Sequence, residues 1–517
     1  MLGAGDTASR DEGKVKSIRL HTADPLWVLT LLAAAISQGQ PGEISLTGLQ
    51  WLAVVQSNAI GVAVCALSSL VGSVRRTALA TIAGCYAGIA AADMQEREHL
   101  LLVFDALRTA LGHDKDSASF APLPLTSTLF FAHQLRLTVT PSSVLYPALS
   151  RFFLQRPGFD TTDVPALYSL LQSTDADHWR THRLWMLRFL RDVLQGGGVS
   201  LGWRVMRRRY IWELLASMYA GVSQALQNVE KSSGKEPLAG GAGNRPAVSS
   251  VTSMTHTLFL IEEILLSAVS IPSVAVELSR KGLLTWMAQQ QALQGSHGRL
   301  STTRAEDSDA DQAPPAVSFW LALLHRLMRS VQGSWDKLDQ ATGGSWMSVG
   351  AEILSHTAES ANDGFEQLVI MTDTVAMLCQ HLPHQHNLLD HSHHPSDGFL
   401  LQRLLAVLSC VTVAIEQQRA EEEEQGKQED APDVGSVQSP ARLVVKVVDS
   451  LVAIRRYTAI ARCPVDDDGL KRLFRRNLSL VATTAPGDCP DEETAARLAE
   501  IKMDLMRMTT AHESNGR

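Results

Sequence analysis

The sequence predicts an all-α protein built from successive helices. Apolar residues recur three and four positions apart along most of the chain, and the segment EHLLLVFDALRTAL at residues 98–111 is a clear example. Alternating apolar and polar runs bounded by Asn-Gly or Asp-Gly turns, which would indicate strands, do not occur. Helical segments of roughly 12–20 residues with short polar joints are typical of a HEAT or armadillo-like helical-repeat solenoid. Since no sequence period is fixed, we expect irregular repeats with disordered loop insertions.

The pattern divides the chain into helical blocks and polar joints. Helices are predicted over residues 18–38 (with a start signal at Asp24 and Pro25), 49–72, 73–92, 98–111, 122–137, 143–154, 164–173 (capped by Asp163), 181–195, 203–219, 253–267, 272–290 (broken at Gly282), 317–332, 345–359, 364–381, 399–419, 441–461 and 491–508. The predicted organisation begins with a disordered tail at 1–17 and a helical-repeat domain at 18–290, which contains a flexible insertion at 227–251. A flexible linker at 291–316 leads to a helical continuation at 317–419, which contains a His-rich loop at 381–396. An acidic linker at 420–440 precedes C-terminal helices with a tail at 441–517.

Charge and composition limit the possible functions. The formal net charge of −8 gives no global case for nucleic-acid binding. Between Arg151 and Leu215 the sign reverses, with ten arginines against five aspartates and one glutamate, so any contact with a polyanion would be local. The most apolar run, Trp51–Val71, is interrupted by polar residues, and we interpret it as a buried helix. No membrane interaction is expected.

One stretch, Asp163–Tyr219, is the densest in aromatic residues and arginines together. It contains two amphipathic helices, predicted at Thr181–Gln195 and Trp203–Tyr219, whose apolar faces we expect to be buried. Guanidinium groups suit both phosphate and acidic protein partners. The candidate RNA or partner contacts are therefore five arginines of these helices: Arg188, Arg191, Arg207, Arg208 and Arg209.

A structural role competes with the contact hypothesis. Arg207 and Arg208 project on the same side of their predicted helix as its buried residues, and Arg209 lies four residues before Glu213. Intradomain ion pairs with Asp163, Asp192 or Glu213 are thus the simpler arrangement for the triple arginine. Tryptophans at helical spacing beside leucines likewise favour core packing over base stacking; they are Trp179, Trp185, Trp203 and Trp212.

Motifs for catalysis or metal binding are lacking in the sequence. It contains no phosphate-binding G-x-x-x-x-G-K-[ST] loop, no G-x-S-x-G elbow and no H-E-x-x-H pair. The histidines of residues 381–396 have loose spacing between prolines, which favours a solvated loop over a zinc site. Asp307, Asp309 and Asp311 begin like a calcium loop, but Gln312 replaces its glycine. We expect no enzyme activity, cofactor, metal or small-molecule substrate.

Several segments together resemble a known family. They are PLPLTSTLFFAHQLRLTVTPSSVLYPALSRFFLQRPGFDTTDVPALYSLLQS, HWRTHRLWMLRFLRDVL, WRVMRRRYIWELLASMY and ELSRKGLLTWM, which lie within residues 122–290. In order and spacing they resemble the C-terminal domain of the family of nucleolar pre-ribosomal-associated protein 1, the Npa/Urb type. Family members are much longer. The resemblance rests on structural residues, and the insertion at 227–251 and the chain beyond Gln290 have no recognised counterpart.

The resemblance implies a location and a set of partners. It implies a nuclear, nucleolar scaffold of early large-subunit pre-ribosomes, which works with pre-ribosomal proteins, pre-rRNA, snoRNPs and an RNA helicase. A generic protein-binding α-solenoid outside ribosome synthesis is the alternative function.

Overall fold

Helices account for every regular element in the part of the chain that the structure describes. The computed structural model describes residues 24–37, 46–112, 121–155, 159–196, 205–207, 210–233, 248–295, 318–332, 334–342, 346–360, 365–388, 396–425, 440–461, 467–483 and 494–503. Within these residues there is no strand, and the helices pack against one another. The predicted all-α, helical-repeat fold class is therefore confirmed.

The chain folds into two compact units, which divide between Thr161 and Thr162. The first unit contains α1 (Pro25–Ser37), α2 (Gly48–Gln56), α3 (Ala59–Ala66), α4 (Gly72–Ala91), α5 (Arg97–Leu111), α6 (Leu125–Thr138) and α7 (Tyr146–Leu154). The second contains α8 (Leu167–Leu171), α9 (Trp179–Gly196), α10 (Ile211–Ser233), α11 (Val248–Val269), α12 (Pro272–Arg280), α13 (Leu283–Gly295), α14 (Phe319–Val331), α15 (Trp335–Thr342), α16 (Trp346–Ser360), α17 (Phe365–Leu388), α18 (Ser396–Gln425), α19 (Pro440–Ala461), α20 (Asp467–Thr483) and α21 (494–503).

In the first unit, the short helix α3 lies at the centre of the packing. It contacts α1, α2, α4 and α6, and its residues Ile60, Ala63 and Val64 are buried. Phenylalanines close the end of this core, where the Phe131 and Phe159 ring centroids lie 4.5 Å apart. Aromatic pairs in such offset geometries stabilise a core beyond the area that they bury.

Two helix boundaries in the first unit can be compared with those predicted from the sequence. The predicted start of α1 is confirmed, because Asp24 Oδ1 accepts the Leu26 N–H at 2.9 Å and Pro25 is the first helical residue. The single helix predicted over residues 49–72 is wrong. Asn58 adopts a left-handed conformation with φ of 62°, which separates α2 from α3 and bends the pair by 59°.

The second unit is a two-layer stack of helices. In one layer α9, α11, α14, α17 and α19 each pack against the next, and in the other α13, α16, α18 and α20 do the same. Contacts of α14 with α16 and of α18 with both α17 and α19 join the layers. Each helix therefore buries one face against the facing layer and its flanks against its neighbours, as in helical-repeat proteins.

Ion pairs connect helices across this stack. The pairs join helices that are neighbours in space but not consecutive in the chain. They are Arg191–Glu263 at 3.1 Å, Arg403–Glu352 at 3.4 Å, Arg497–Asp449 at 2.6 Å, Lys446–Asp373 and Arg476–Glu416. They lie at the partly exposed edges of interfaces whose centres are apolar. Exposed pairs contribute about 0–1 kcal/mol each, so the apolar interfaces supply most of the stability and the pairs fix the register.

An aromatic cluster joins α10 to α13 and α14. The Trp286 ring contacts Trp212, Tyr219 and Trp320 at centroid distances of 5.3, 5.3 and 5.5 Å, all edge to face. The Tyr219 hydroxyl donates a hydrogen bond to Glu262 Oε1 of α11 at 3.2 Å. Burial raises the pKa of the Glu262 carboxyl to about 7, although the hydrogen bond from Tyr219 opposes that shift.

Several predictions for the second unit need correction. Ala166 is left-handed with φ of 55°, so α8 begins after it, and Asp163 instead accepts the Val164 N–H. The helix predicted over Trp203–Tyr219 is interrupted, because Tyr210 has φ of 55°. The predicted break at Gly282 is confirmed, with φ of 89° between α12 and α13.

Other helices are longer or more numerous than predicted. The insertion predicted at 227–251 is shorter, since α10 runs to Ser233 and α11 starts at Val248. Helix α17 continues to Leu388 through the first half of the predicted His-rich loop, and α18 extends to Gln425 through the acidic run. Helices α15 and α20 were missed by the sequence analysis. The predicted tail at 1–17 and most of the linker at 291–316 lie outside the described residues.

One helix in the described residues is long and apolar enough to cross a membrane. It is Leu400–Gln417 of α18, and 44% of that window is buried inside the protein. The bent pairs α2 with α3 and Ser250–Val269 with α12 also pass if each is counted as one span. Length and composition alone identify these helices as possible membrane spans.

We expect alanine at Gly88 of α4 to destabilise the protein. A Cβ atom there would lie 3.0 Å from Trp51 Cε2 and closer still to Cζ2, and Trp51 is 2% exposed in the core of the first unit. Overpacking of this kind costs about 1–3 kcal/mol, which outweighs the gain of about 0.5–1 kcal/mol when alanine replaces glycine in a helix. Thermal unfolding of Gly88→Ala should show a lower Tm. The matched control is Gly84→Ala on the same helix, whose Cβ would meet Ile36 at 3.8 Å; a Tm below wild type there would contradict this reasoning.

We expect Glu262→Gln to change how stability depends on pH. Since the folded pKa is raised from 4.5 to about 7, the unfolded chain releases this proton at lower pH than the native protein does. The wild type therefore loses stability as pH rises between about 4.5 and 7, and the Gln variant lacks that loss. The Tm difference between variant and wild type should become more positive from pH 5 to pH 8. Glu213→Gln on α10 is the control, because its exposed carboxylate pairs with Lys281; an equal pH trend in both variants would refute the assignment.

Candidate partner-binding surface

Helix α9 carries the candidate arginines on a face that the sequence pattern predicts correctly. Its apolar residues Met186, Leu187, Leu190 and Val193 are buried, whereas Arg188 is exposed. Because side chains three and four positions apart share a face, the buried stripe leaves the arginines on the outer side. Four arginines face one aspartate within Trp179–Gly196, so this helix is locally cationic in an acidic chain.

The arginines of α9 contact α11, which runs parallel to it. Arg180 Nη2 donates to Ser250 Oγ at 3.1 Å, Arg188 Nη2 lies 3.4 Å from His256 Nε2, and Arg191 Nη1 donates to Glu263 Oε2 at 3.1 Å. Residue numbers rise together on both helices, as expected for equivalent helices of successive repeats. The structure thus brings Arg188 and Arg191 together along one edge of the α9–α11 interface.

Arg191 and Arg188 differ in how fully they are engaged. Arg191 is held by two carboxylates, since Nε also donates to Asp192 Oδ1 at 2.9 Å. Burial is the largest single effect on its guanidinium and lowers the pKa. The hydrogen bonds and charges of Asp192 and Glu263 together outweigh burial, so the pKa is raised. Among the described residues, the imidazole of His256 is the only hydrogen-bond partner of the Arg188 side chain. Burial, followed by the charges of Arg188 and Arg191, lowers the pKa of His256, so a neutral ring accepts from Arg188.

The triple arginine lies partly outside the described residues. Arg207 is exposed and borders a small cavity formed with Val274, Glu277 and Lys281, whereas Arg208 and Arg209 are not described. Glu213, predicted to pair with Arg209, accepts a hydrogen bond from Lys281 Nζ at 3.0 Å. The left-handed Tyr210 also removes the continuous helical phase on which that i,i+4 pairing depended.

The tryptophans of this region contribute mainly to packing. Trp212 is 3% exposed in the aromatic cluster, and the Trp185 ring stacks on Phe189 with centroids 5.5 Å apart. Trp179 differs because it is half-buried and its ring is covered by the guanidinium groups of Arg183 and Arg180, at 4.5 and 5.1 Å from the centroid.

Sequence reasoning missed a groove between α9, α10 and α11. It has a volume of about 320 Å³ and is lined by Trp179, Arg180, Arg183, Met218, Gly221, Val222, Ala225, Ser253, Met254 and Thr257. Burial lowers the pKa of the Arg183 guanidinium from its usual range. The sequence contains one signal for this groove, because Arg180 and Arg183 lie on one helical face beside Trp179. The spacing of residues within α9 does not show where α10 packs.

Residues that could bind a metal or act as a nucleophile do not form a site in the described part of the chain. Within the described residues, no group of three or more His, Cys, Asp or Glu side chains could hold a metal ion. The side chains of the predicted His-rich loop lie outside them. Free cysteines such as Cys85 and Cys379 are buried, and burial raises the pKa of each thiol to about 12, so both are protonated near neutral pH.

Comparison with known proteins supports the family resemblance. Residues 60–286 match the family model for nucleolar pre-ribosomal-associated protein 1. The match starts in α3 and ends in α13, so it includes α9, α10, α11 and the groove between them. It confirms the resemblance noted from the sequence over these residues.

Curated relatives agree with the family model. The chain is 26% identical to mouse and 27% identical to human nucleolar pre-ribosomal-associated protein 1 over 165 residues, which is 32% of this chain. The matched part spans only 7% of the length of either relative. Among solved structures, an engineered protein aligns over 93% of this chain and 96% of its own, but at 14% identity and a TM-score of 0.26, which carries no structural argument.

We expect Arg191→Gln to destabilise the second unit and Arg188→Gln to leave its stability unchanged. Arg191 and Glu263 are each about 30% exposed, at 27% and 30%, so their charge-assisted hydrogen bond is worth about 1 kcal/mol. Chemical unfolding should show this loss, and Glu263→Gln should add little to it in the double variant. Full additivity of the two substitutions would contradict direct coupling.

Proposed function

We propose that the chain is a non-catalytic scaffold in early nucleolar assembly of the large ribosomal subunit. The match of residues 60–286 to the family of nucleolar pre-ribosomal-associated protein 1 carries this proposal. The relatives are nucleolar by name, which supports a nucleolar, hence nuclear, location. The family name describes association with pre-ribosomes and no enzyme class. Stacked helices present an extended surface, which suits the holding of large partners.

The cationic face of α9 is the surface that we assign to pre-rRNA or to acidic assembly factors. Arg188 is the leading contact, because it is exposed and its only described contact is a neutral imidazole. A guanidinium has five N–H donors, so most of those on Arg188 remain available to phosphate or carboxylate oxygens. Arg207 is also exposed, and Arg208 and Arg209 join the proposal by sequence alone. Arg191 has less capacity, since two carboxylates already engage it.

The partners in this proposal follow from the family resemblance. They are protein components of the pre-ribosomal particle, with an RNA helicase and snoRNPs among those it would meet. Support for direct RNA contact is local and electrostatic: four arginines against one aspartate on α9 within a chain of net charge −8. A surface of this kind would bind phosphate in a salt-dependent manner.

The proposed function predicts association with early pre-rRNA in cells. A tagged chain should concentrate in nucleoli, and sequencing of crosslinked RNA should recover large-subunit precursor. The double variant Arg188→Gln with Arg207→Gln should keep its fold, since both side chains are exposed, and should lose most of that RNA, because two cationic groups are removed. Arg108→Gln on α5 is the control, since it removes another exposed arginine, paired with Asp105, from the first unit.

Other outcomes would count against the proposal in different ways. A cytoplasmic location without pre-rRNA would refute the ribosomal role and favour a general protein-binding adaptor. Normal nucleolar location and pre-rRNA recovery in the double variant would leave the scaffold role standing and refute the arginine surface.

A further inference from the structure

We propose that the groove between α9, α10 and α11 binds an acidic peptide segment of a partner protein, with an aliphatic side chain of that peptide inserted as its anchor. The groove is formed by other residues than Arg188 and Arg191, and the proposal does not depend on a role in ribosome assembly. Nothing outside the second unit is needed to form the groove.

The floor of the groove is apolar and adaptable. It is formed by Met218, Val222 and Ala225 of α10 together with Met254 of α11. Methionine side chains are flexible and polarisable, and they recur in surfaces that accept aliphatic side chains of peptides. At about 320 Å³ the groove is small for a pocket that takes ligands. It therefore suits one anchoring side chain and the adjacent peptide groups, whereas a whole helix about 10 Å across would not enter.

The charge of the groove selects an acidic partner. Among the described residues ten line the groove, and these include Arg180 and Arg183 and no acidic residue. Arg183 is half-buried, and its Nε donates only to the Leu171 carbonyl, at 3.4 Å. Among the described residues no carboxylate forms an ion pair with it. A peptide carboxylate would offset this partial desolvation, since guanidinium and carboxylate form strong charge-assisted hydrogen bonds.

The same geometry favours a peptide over a nucleic acid. Single-stranded nucleic acids bind by stacking bases on exposed aromatic rings. Of the described residues that line the groove, Trp179 alone is aromatic, and the guanidinium groups of Arg183 and Arg180 lie over its ring at 4.5 and 5.1 Å. The remaining surface is aliphatic or thioether, and such side chains match a leucine, isoleucine or methionine anchor.

Gly221 offers a way to close the groove without disturbing the fold. It lines the groove on α10, and a Cβ atom built on it meets no heavy atom within 4 Å. In Gly221→Leu the new side chain would occupy the space of the anchor while raising helix propensity. In Gly221→Ala the propensity rises similarly, but most of the space stays open. The two variants therefore separate filling of the groove from stabilisation of the helix.

The test starts from a display library of random peptides of about twelve residues, selected on the intact chain. We expect enrichment of sequences in which Asp or Glu flanks Leu, Ile or Met. The strongest sequence, made as a fluorescent synthetic peptide, should bind Gly221→Leu at least about tenfold more weakly than wild type. Gly221→Ala and Arg108→Gln should bind within about twofold of wild type. Arg183→Gln should weaken binding and flatten its dependence on salt.

Each other outcome overturns the proposal. Selection without acidic and aliphatic enrichment, or equal affinity of Gly221→Leu and wild type when both show cooperative unfolding, would refute it. Oligouridylate binding that is lost in Gly221→Leu would assign the groove to nucleic acid. A dimer in sedimentation velocity that the same substitution dissociates would assign it to a second copy of the chain. None of these results affects the recovery of pre-rRNA, which tests the scaffold role separately.

Discussion

The parallel packing of α9 against α11 is the interaction on which the second unit depends. Each helix has a wide apolar face and cannot remain folded alone, because an isolated helix gains too little from its own hydrogen bonds. The buried stripe of α9, which includes Leu187 and Leu190, is covered by α8 and α11. The next contact of the layer, α11 with α14, repeats the arrangement, and the stack grows by such steps. The same packing brings α10 across α11, and this approach leaves the groove open between three helices.

This packing also decides what the arginines can do. A charged side chain beside an apolar interface is first drawn to polar groups of the adjacent helix, and Arg191 shows this with Glu263. Only a guanidinium without a nearby carboxylate leaves its N–H donors available to an outside partner. On α9 that condition holds for Arg188 in the middle of the helix and for Arg183 at the groove. Helix α9 therefore pairs with the adjacent helix through Arg191 and also presents Arg188 and Arg183 to outside partners. The density of arginine in the sequence alone does not locate a binding surface.

The sequence allowed the fold class and the faces of α9 to be predicted, since both follow from apolar periodicity. It failed where a single residue leaves the helical region. Asn58, Ala166 and Tyr210 are not glycine, yet each has a positive φ and lies at the start of a helix. Nothing in the periodicity marks these positions, because tertiary packing offsets the local strain. The groove was missed for a related reason: its lining comes from three helices, and residue spacing within one helix carries no information on how another crosses it.

The acidic total charge of the chain and its cationic α9 are compatible because electrostatic interactions in solution are screened over about 8 Å at physiological salt. A polyanion or an acidic peptide near α9 therefore responds to the local excess of arginine, and the net charge of −8 governs mainly solubility and long-range repulsion. In the proposed scaffold role, recognition would be set by which arginines the repeat interfaces leave without a carboxylate partner. Carboxylates on α9 and on the adjacent helix, Asp192 and Glu263 above all, already engage Arg191 and so limit which arginines a partner could bind.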